Sequence, residues 1–179
     1  MAERREFSEI LSSQLVAITG GVIAGTLLAI FTDKLFLLPG LFLLLPGFLE
    51  LKGAIAGSLA SRIGTELHTK KIKTDGKSKL IKENKIASFI LVFFVSLILG
   101  VSVYLITYFI FGHNNPKLIL VPLIAATISS ILLFPLTVKM ALWLYKHHHD
   151  PDNVMGPYVA SIGDIESILS ILIAITILT

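Results

Sequence analysis

The sequence predicts an all-α, polytopic integral membrane protein with five transmembrane helices, and three observations carry that expectation. The 179-residue chain is 54% apolar and only 15% charged, and its mean hydropathy is +0.84; this balance belongs to membrane proteins rather than to soluble domains. The apolar residues gather into five runs, each near the ~20 residues that cross a hydrocarbon core. The charges cluster between those runs, above all in a lysine-rich stretch at residues 69–85.

The runs are expected at residues 14–36, 41–67, 86–111, 118–145 and 151–178. Residues 1–13 then form a short charged N-terminal segment, and 14–179 form a single transmembrane domain with no soluble domain between the spans. The N-terminal segment has no small-residue cleavage signal, so no removed leader is expected. The chain has no cysteine, which excludes disulfides and thiolate metal sites. The net charge of +3 arises in one loop without interleaved aromatics, which argues against nucleic acid as a partner.

Orientation follows from the positive charges. Lys70, Lys71, Lys73, Lys77, Lys79, Lys82 and Lys85 crowd the connection between the second and third spans, which is expected to be cytoplasmic. Alternation puts the N-terminus inside, with Arg4 and Arg5, and the C-terminus outside a cell membrane.

The first span carries Gly20, Gly21 and Gly25, a smooth face that lets another backbone approach closely. The second holds Pro39-Gly40 and Pro46-Gly47, and these pairs are expected to break its helix, because proline removes a backbone donor and clashes with the preceding turn. Just beyond lie Glu50 and Lys52, either neutralising each other or leaving Glu50 to line a cavity. Gly53, Ala56, Gly57, Ala60, Ser61 and Gly64 then form a small-residue face. Arg62 and Glu66, four residues apart, either pair or leave Arg62 reaching for lipid phosphate.

The third span is apolar all round and is expected to face lipid. The fourth, with Pro122, Pro135 and several hydroxyls, is expected to kink and to hydrogen-bond between helices. His147, His148 and His149 follow, readable as a solvated turn or as a divalent-metal tract.

The fifth span carries the chemistry. It opens on Asp150-Pro151, an N-cap residue followed by the residue best suited to a first helical turn. Asn153, Pro157, Ala160, Ser161 and Asp164 recur at helical spacing, a polar stripe leading to an acid deep in the membrane. An unpaired carboxylate there costs roughly 2.5–3.5 kcal/mol on insertion scales, so its presence points to function. The available ligands are carboxylates, an amide, hydroxyls and freed carbonyls, which suit a hard cation such as Mg²⁺ or Ca²⁺.

Two motifs carry a resemblance to the MgtE-type magnesium transporters, in the half-size form akin to the eukaryotic solute-carrier magnesium transporters. One is the second-span PG…KGAIAGSLASRIGTELH; the other is DPDNVMGPYVASIGDI. The resemblance implies that Asp164 holds the ion and that the second and fifth helices line the path. It also departs from the family pattern in three ways. Gly53-Ala54 stands where the family has Gly-Asn, and Ala160-Ser161-Ile162-Gly163 carries fewer hydroxyls than the family's threonine-rich run. Nothing in the residues matches the family's cytoplasmic regulatory domains, so gating by them is not carried over.

The expected activity is divalent cation transport, most readily of Mg²⁺. The expected metal-contacting residues are Asp164, Asn153 and Ser161, with Glu50 as an opposing acid and Asp152 at the cytoplasmic mouth. One Asp164 per chain is too few for a cage, so a homodimer is expected, bringing two across a dyad. A non-transporting membrane assembly subunit and a proton-coupled carrier of a small solute are the alternatives. No nucleophile–base pair or nucleotide loop points to an enzyme.

Overall fold

A computed structural model describes residues 2–178, with side chains from residue 6 onward; Arg4 and Arg5, used above for orientation, lie outside the described side chains. The chain is helical almost throughout: α1 (Ala2–Ile30), a single turn α2 (Thr32–Leu35), α3 (Leu41–His68), α4 (Lys79–Phe111), α5 (Lys117–Lys146) and α6 (Pro151–Leu178). Five of these are long and apolar enough to cross a membrane. The first span differs from expectation. Its helix begins at Ala2 and stops at Ile30, so the charged N-terminal segment is continuous with the span rather than separate from it.

Local chemistry sets the boundaries. The Ser78 hydroxyl accepts from the Leu80 amide at 3.3 Å and starts α4, and Gly112, at φ +69°, ends it in the left-handed conformation that glycine adopts at least cost. The Asp150 carboxylate accepts from the Asp152 amide at 3.0 Å and caps α6.

The two Pro-Gly pairs behave differently. Pro39-Gly40 does interrupt the chain, with Gly40 at φ +101° separating α2 from α3. Pro46-Gly47 does not: Pro46 lies inside a continuous α3. A proline so near the start of a helix deprives only one early carbonyl of its donor, and packing of Leu44, Leu45 and Phe48 in the core holds the segment helical. The prolines of α5 are likewise accommodated within one helix.

The bundle core is built from α3, α4, α5 and α6, with α3 and α5 in contact along its centre and each touching both remaining helices. α4 buries one seam, Ile81, Ser88, Val92, Ser96, Gly100, Val103 and Thr107, and shows its other faces outward, as a lipid-facing helix does. At Gly100 the backbone of α5 comes so close that a Cβ would stand 2.8 Å from the Ile119 carbonyl oxygen. The first helix packs chiefly on α6, where Ala24 meets Ile168 and Leu172. Gly20 is the crossing point: a Cβ there would stand 2.8 Å from the Ser161 Cβ.

Most hydroxyls of the spans bond within their own helix, as Thr127 does to the Leu123 carbonyl and Thr137 to the Leu133 carbonyl, each at 2.8 Å. Among the described residues, the hydroxyls of α5 make one bond to another helix. Lys52 of α3 donates to the Ser130 hydroxyl at 2.8 Å.

Candidate functional site

The helical repeat decides how the four charges of α3 and α6 are arranged. Residues two apart on a helix point about 200° away from each other, so Glu50 and Lys52 leave α3 on opposite sides, as Asp164 and Glu166 leave α6. The two helices pack together with one pair on each side of the contact. Outward, the Glu50 carboxylate lies close enough to Asp164 for the charges to repel. Inward, Lys52 and Glu166 attract each other.

Lys52 is fully buried. Its ammonium is held by the Ser130 hydroxyl and stands 5.0 Å from the centre of the Phe134 ring, an attraction to the ring's negative face. Both Glu166 carboxylate oxygens are sealed from solvent without a hydrogen bond, as are the Ser129 and Ser167 hydroxyls. Ser129 is near enough to steady the Glu166 charge, outside the geometry of a formed hydrogen bond. Neutralisation of Glu50 by Lys52, one of the sequence-derived options, is therefore replaced by a Lys52–Glu166 attraction between helices.

The outward pair occupies an open face. Glu50 is exposed and Asp164 partly so. Around them, Gly53 and Gly57 of α3 and Gly156 of α6 have nothing within 4 Å of a built Cβ, and Ala54, Ser58 and Ala160 are exposed. Asp164 sits about 20 Å from either end of α6 at 1.5 Å per residue, midway through a bilayer-length helix.

The remaining residues expected at the site are placed elsewhere. Ser161 is buried beneath Gly20 of α1, and its hydroxyl points into that helix crossing rather than toward Asp164. Asn153 lies about 16 Å along α6 from Asp164, where its carbonyl accepts a long hydrogen bond, 3.5 Å, from Ser13. Asp152 is about 18 Å from Asp164 by the same rise. Within one chain neither Asn153 nor Asp152 reaches an ion held at Asp164, because Mg²⁺–oxygen bonds are only about 2.0–2.1 Å long.

Asp152 belongs to a different group at the lysine-loop end of the bundle. There His68 at the end of α3, Asp150 and Asp152 each offer one ligand atom, and those atoms lie within 4.8 Å of one another. The histidine tract divides its contacts: His147 meets the Trp143 carbonyl at 2.8 Å, and His149 pairs with Glu9 of α1 at 2.9 Å. Glu66 accepts from the Asn84 amide at 2.8 Å instead of pairing with Arg62, since α4 brings a neutral partner to the same place.

Sequence reasoning missed the inward pair and the meeting of His68 with Asp150 and Asp152. The first was readable in principle from the two i,i+2 spacings; the second required knowing that the end of α3 meets the start of α6.

Residues 45–174 match a family model, MgtE, described as a divalent cation transporter. Among curated proteins, none matches the chain.

Proposed function

We propose a route of permeation for this chain, which belongs to the MgtE family of divalent cation transporters: two copies join across the open α3–α6 face, and Mg²⁺ passes between them at Glu50 and Asp164. Divalent cation transport is the family's activity; the ion, the path and the dimer are our reading.

One observation carries it: two acidic side chains lie within electrostatic reach of each other, well inside their helices, on a face that this chain leaves uncovered. Carboxylates facing hydrocarbon are costly, and two that repel each other are worse placed still. A divalent cation between them removes the repulsion, and a second copy of the same face removes the lipid. The smooth strip at Gly53, Gly57, Gly156 and Ala160 leaves space for close approach or for a hydrated ion. Two-fold symmetry would set four carboxylates around the axis, enough to hold Mg²⁺ while it keeps several waters.

Asp164 is the central ligand in this reading and Glu50 its partner across the helix contact. In this reading Asp152 and Asn153 line the approach from the lysine-loop end, taken as cytoplasmic by the positive-inside tendency. Ser161 contributes through the α1–α6 crossing that fixes the rotation of α6.

Flux of Mg²⁺ into liposomes holding the purified protein is the direct test. Asp164→Asn is expected to lower flux at least about tenfold, the loss of a charge from the narrowest part of the path. Glu50→Gln is expected to raise the Mg²⁺ concentration for half-maximal flux several-fold while leaving more of the maximal rate. Wild-type flux undiminished in Asp164→Asn would refute the route.

A further inference from the structure

We propose that His68, Asp150 and Asp152 form a second metal site, separate from the Glu50–Asp164 pair, that takes a borderline divalent ion such as Co²⁺, Mn²⁺ or Zn²⁺ and ties the end of α3 to the start of α6. The inference goes beyond the transport reading and stands whether or not that reading holds.

The geometry comes first. Each of the three residues presents a ligand atom, all within 4.8 Å of one another. Metal–ligand bonds of about 2.0–2.2 Å hold ligands roughly 3–4.4 Å apart, so only a slight inward adjustment is needed. His68 Nε2 and Asp150 Oδ1 already stand 3.2 Å apart; a metal would replace the proton between them.

The donor set then selects the ion. Magnesium and calcium prefer oxygen alone, whereas one imidazole with two carboxylates and open positions suits first-row transition ions and zinc. The adjoining depression, about 570 Å³ and lined by His68, Asp150, His148 and His149 among others, has room for the waters that complete such a shell.

Each of the three residues also has an ordinary role at a helix end. Asp150 caps α6 through the Asp152 amide, and His68 lies in the last turn of α3, where a positive charge is favoured. Asp152 is an acid in the first turn of α6, where negative charge is favoured, but that role does not require it to stand beside His68 and Asp150. Its carboxylate lies against Gly64 so closely that a Cβ there would stand 2.7 Å from Oδ1; any larger residue would push it away from His68. Among the described residues this carboxylate has no hydrogen bond or ion pair, so its oxygens remain open to a ligand beside His68 and Asp150.

Position gives the site its consequence. The two helix ends it joins belong to α3 and α6, which carry Glu50 and Asp164, so an ion bound here restrains the sliding or rotation of one helix against the other.

The test is titration of the purified protein with Co²⁺ under excess Mg²⁺, which occupies oxygen-only sites, followed by visible absorption and by the melting midpoint. Wild type and Asp164→Asn are expected to bind Co²⁺ and to gain thermal stability from it, since a ligand that binds only the folded state raises its stability with concentration. His68→Ala and Asp152→Asn are each expected to weaken Co²⁺ binding about tenfold or more and to abolish the stability gain, while melting normally without metal. The combined change His147→Asn, His148→Asn and His149→Asn is expected to retain binding. No Co²⁺ binding in wild type, unchanged binding in both His68→Ala and Asp152→Asn, or loss of binding only with the histidine tract would each overturn the proposal.

Discussion

Lys52 is the residue on which the most local chemistry turns. A fully buried ammonium is tolerated because Ser130, the Phe134 ring and Glu166 together replace water. Removing one member of such a pair leaves the other charged and unsolvated, commonly a loss of about 3–5 kcal/mol, whereas replacing both with apolar groups is often close to neutral. Lys52→Met is therefore expected to destabilise the fold by about 3 kcal/mol, and Lys52→Met with Glu166→Met to recover most of that loss. Unfolding of the detergent-solubilised protein by a denaturing detergent measures both. A double variant no more stable than the single one would show that the two charges are not coupled. The residue scale also explains why the acids sort as they do: a two-residue step along either helix sends one charge to the core and its neighbour to the open face.

At the level of helices, the crossing of α1 over α6 depends on the absence of one methyl group. A Cβ at Gly20 would collide with the Ser161 side chain, whereas at Gly21 it would meet nothing within 4 Å. Gly20→Ala is expected to cost about 1–3 kcal/mol, the usual penalty of overpacking, and to loosen α1 from the bundle. Gly21→Ala is expected to be neutral or slightly stabilising, alanine being the better helix former. Pairing Gly20→Ala with Ser161→Gly removes the colliding side chain and is expected to restore most of the lost stability. Thermal melting in detergent separates these outcomes. Equal effects at Gly20 and Gly21 would mean that α1 is held by something other than this crossing. At the same level Ser161, expected near the ion, is found buried against Gly20 at the crossing of two helices.

For the whole molecule, the proposed dimer requires that the open α3–α6 face meet a second copy. The open α3–α6 face is narrow, small-sided and acidic at its centre, while α4 shows large apolar side chains such as Leu105 and Phe109 outward, as lipid contact requires. Because the chain has no native cysteine, each introduced one reports alone. Gly57→Cys and Gly156→Cys are expected to link two copies through a short bifunctional reagent in membranes, and Leu105→Cys is not. Linking through Leu105→Cys alone would place the interface on α4 and leave Glu50 and Asp164 in need of another cover.

How much of this was legible beforehand varies with the range of the interaction. The number of spans, the depth of Asp164 and the family likeness were readable because hydropathy, helical repeat and short motifs are properties of neighbouring residues. The Pro46-Gly47 pair was misjudged because the core contacts of the flanking Leu44, Leu45 and Phe48 with other helices outweigh one lost hydrogen bond. Partnership was the part that no local pattern contained. Glu50 and Asp164, Lys52 and Glu166, and His68 and Asp152 are each separated by more than eighty residues. The sequence alone determined which charged side chains enter the membrane; only the packing of α3 against α6 decided which of them face one another, because that depends on the rotation of each helix about its own axis.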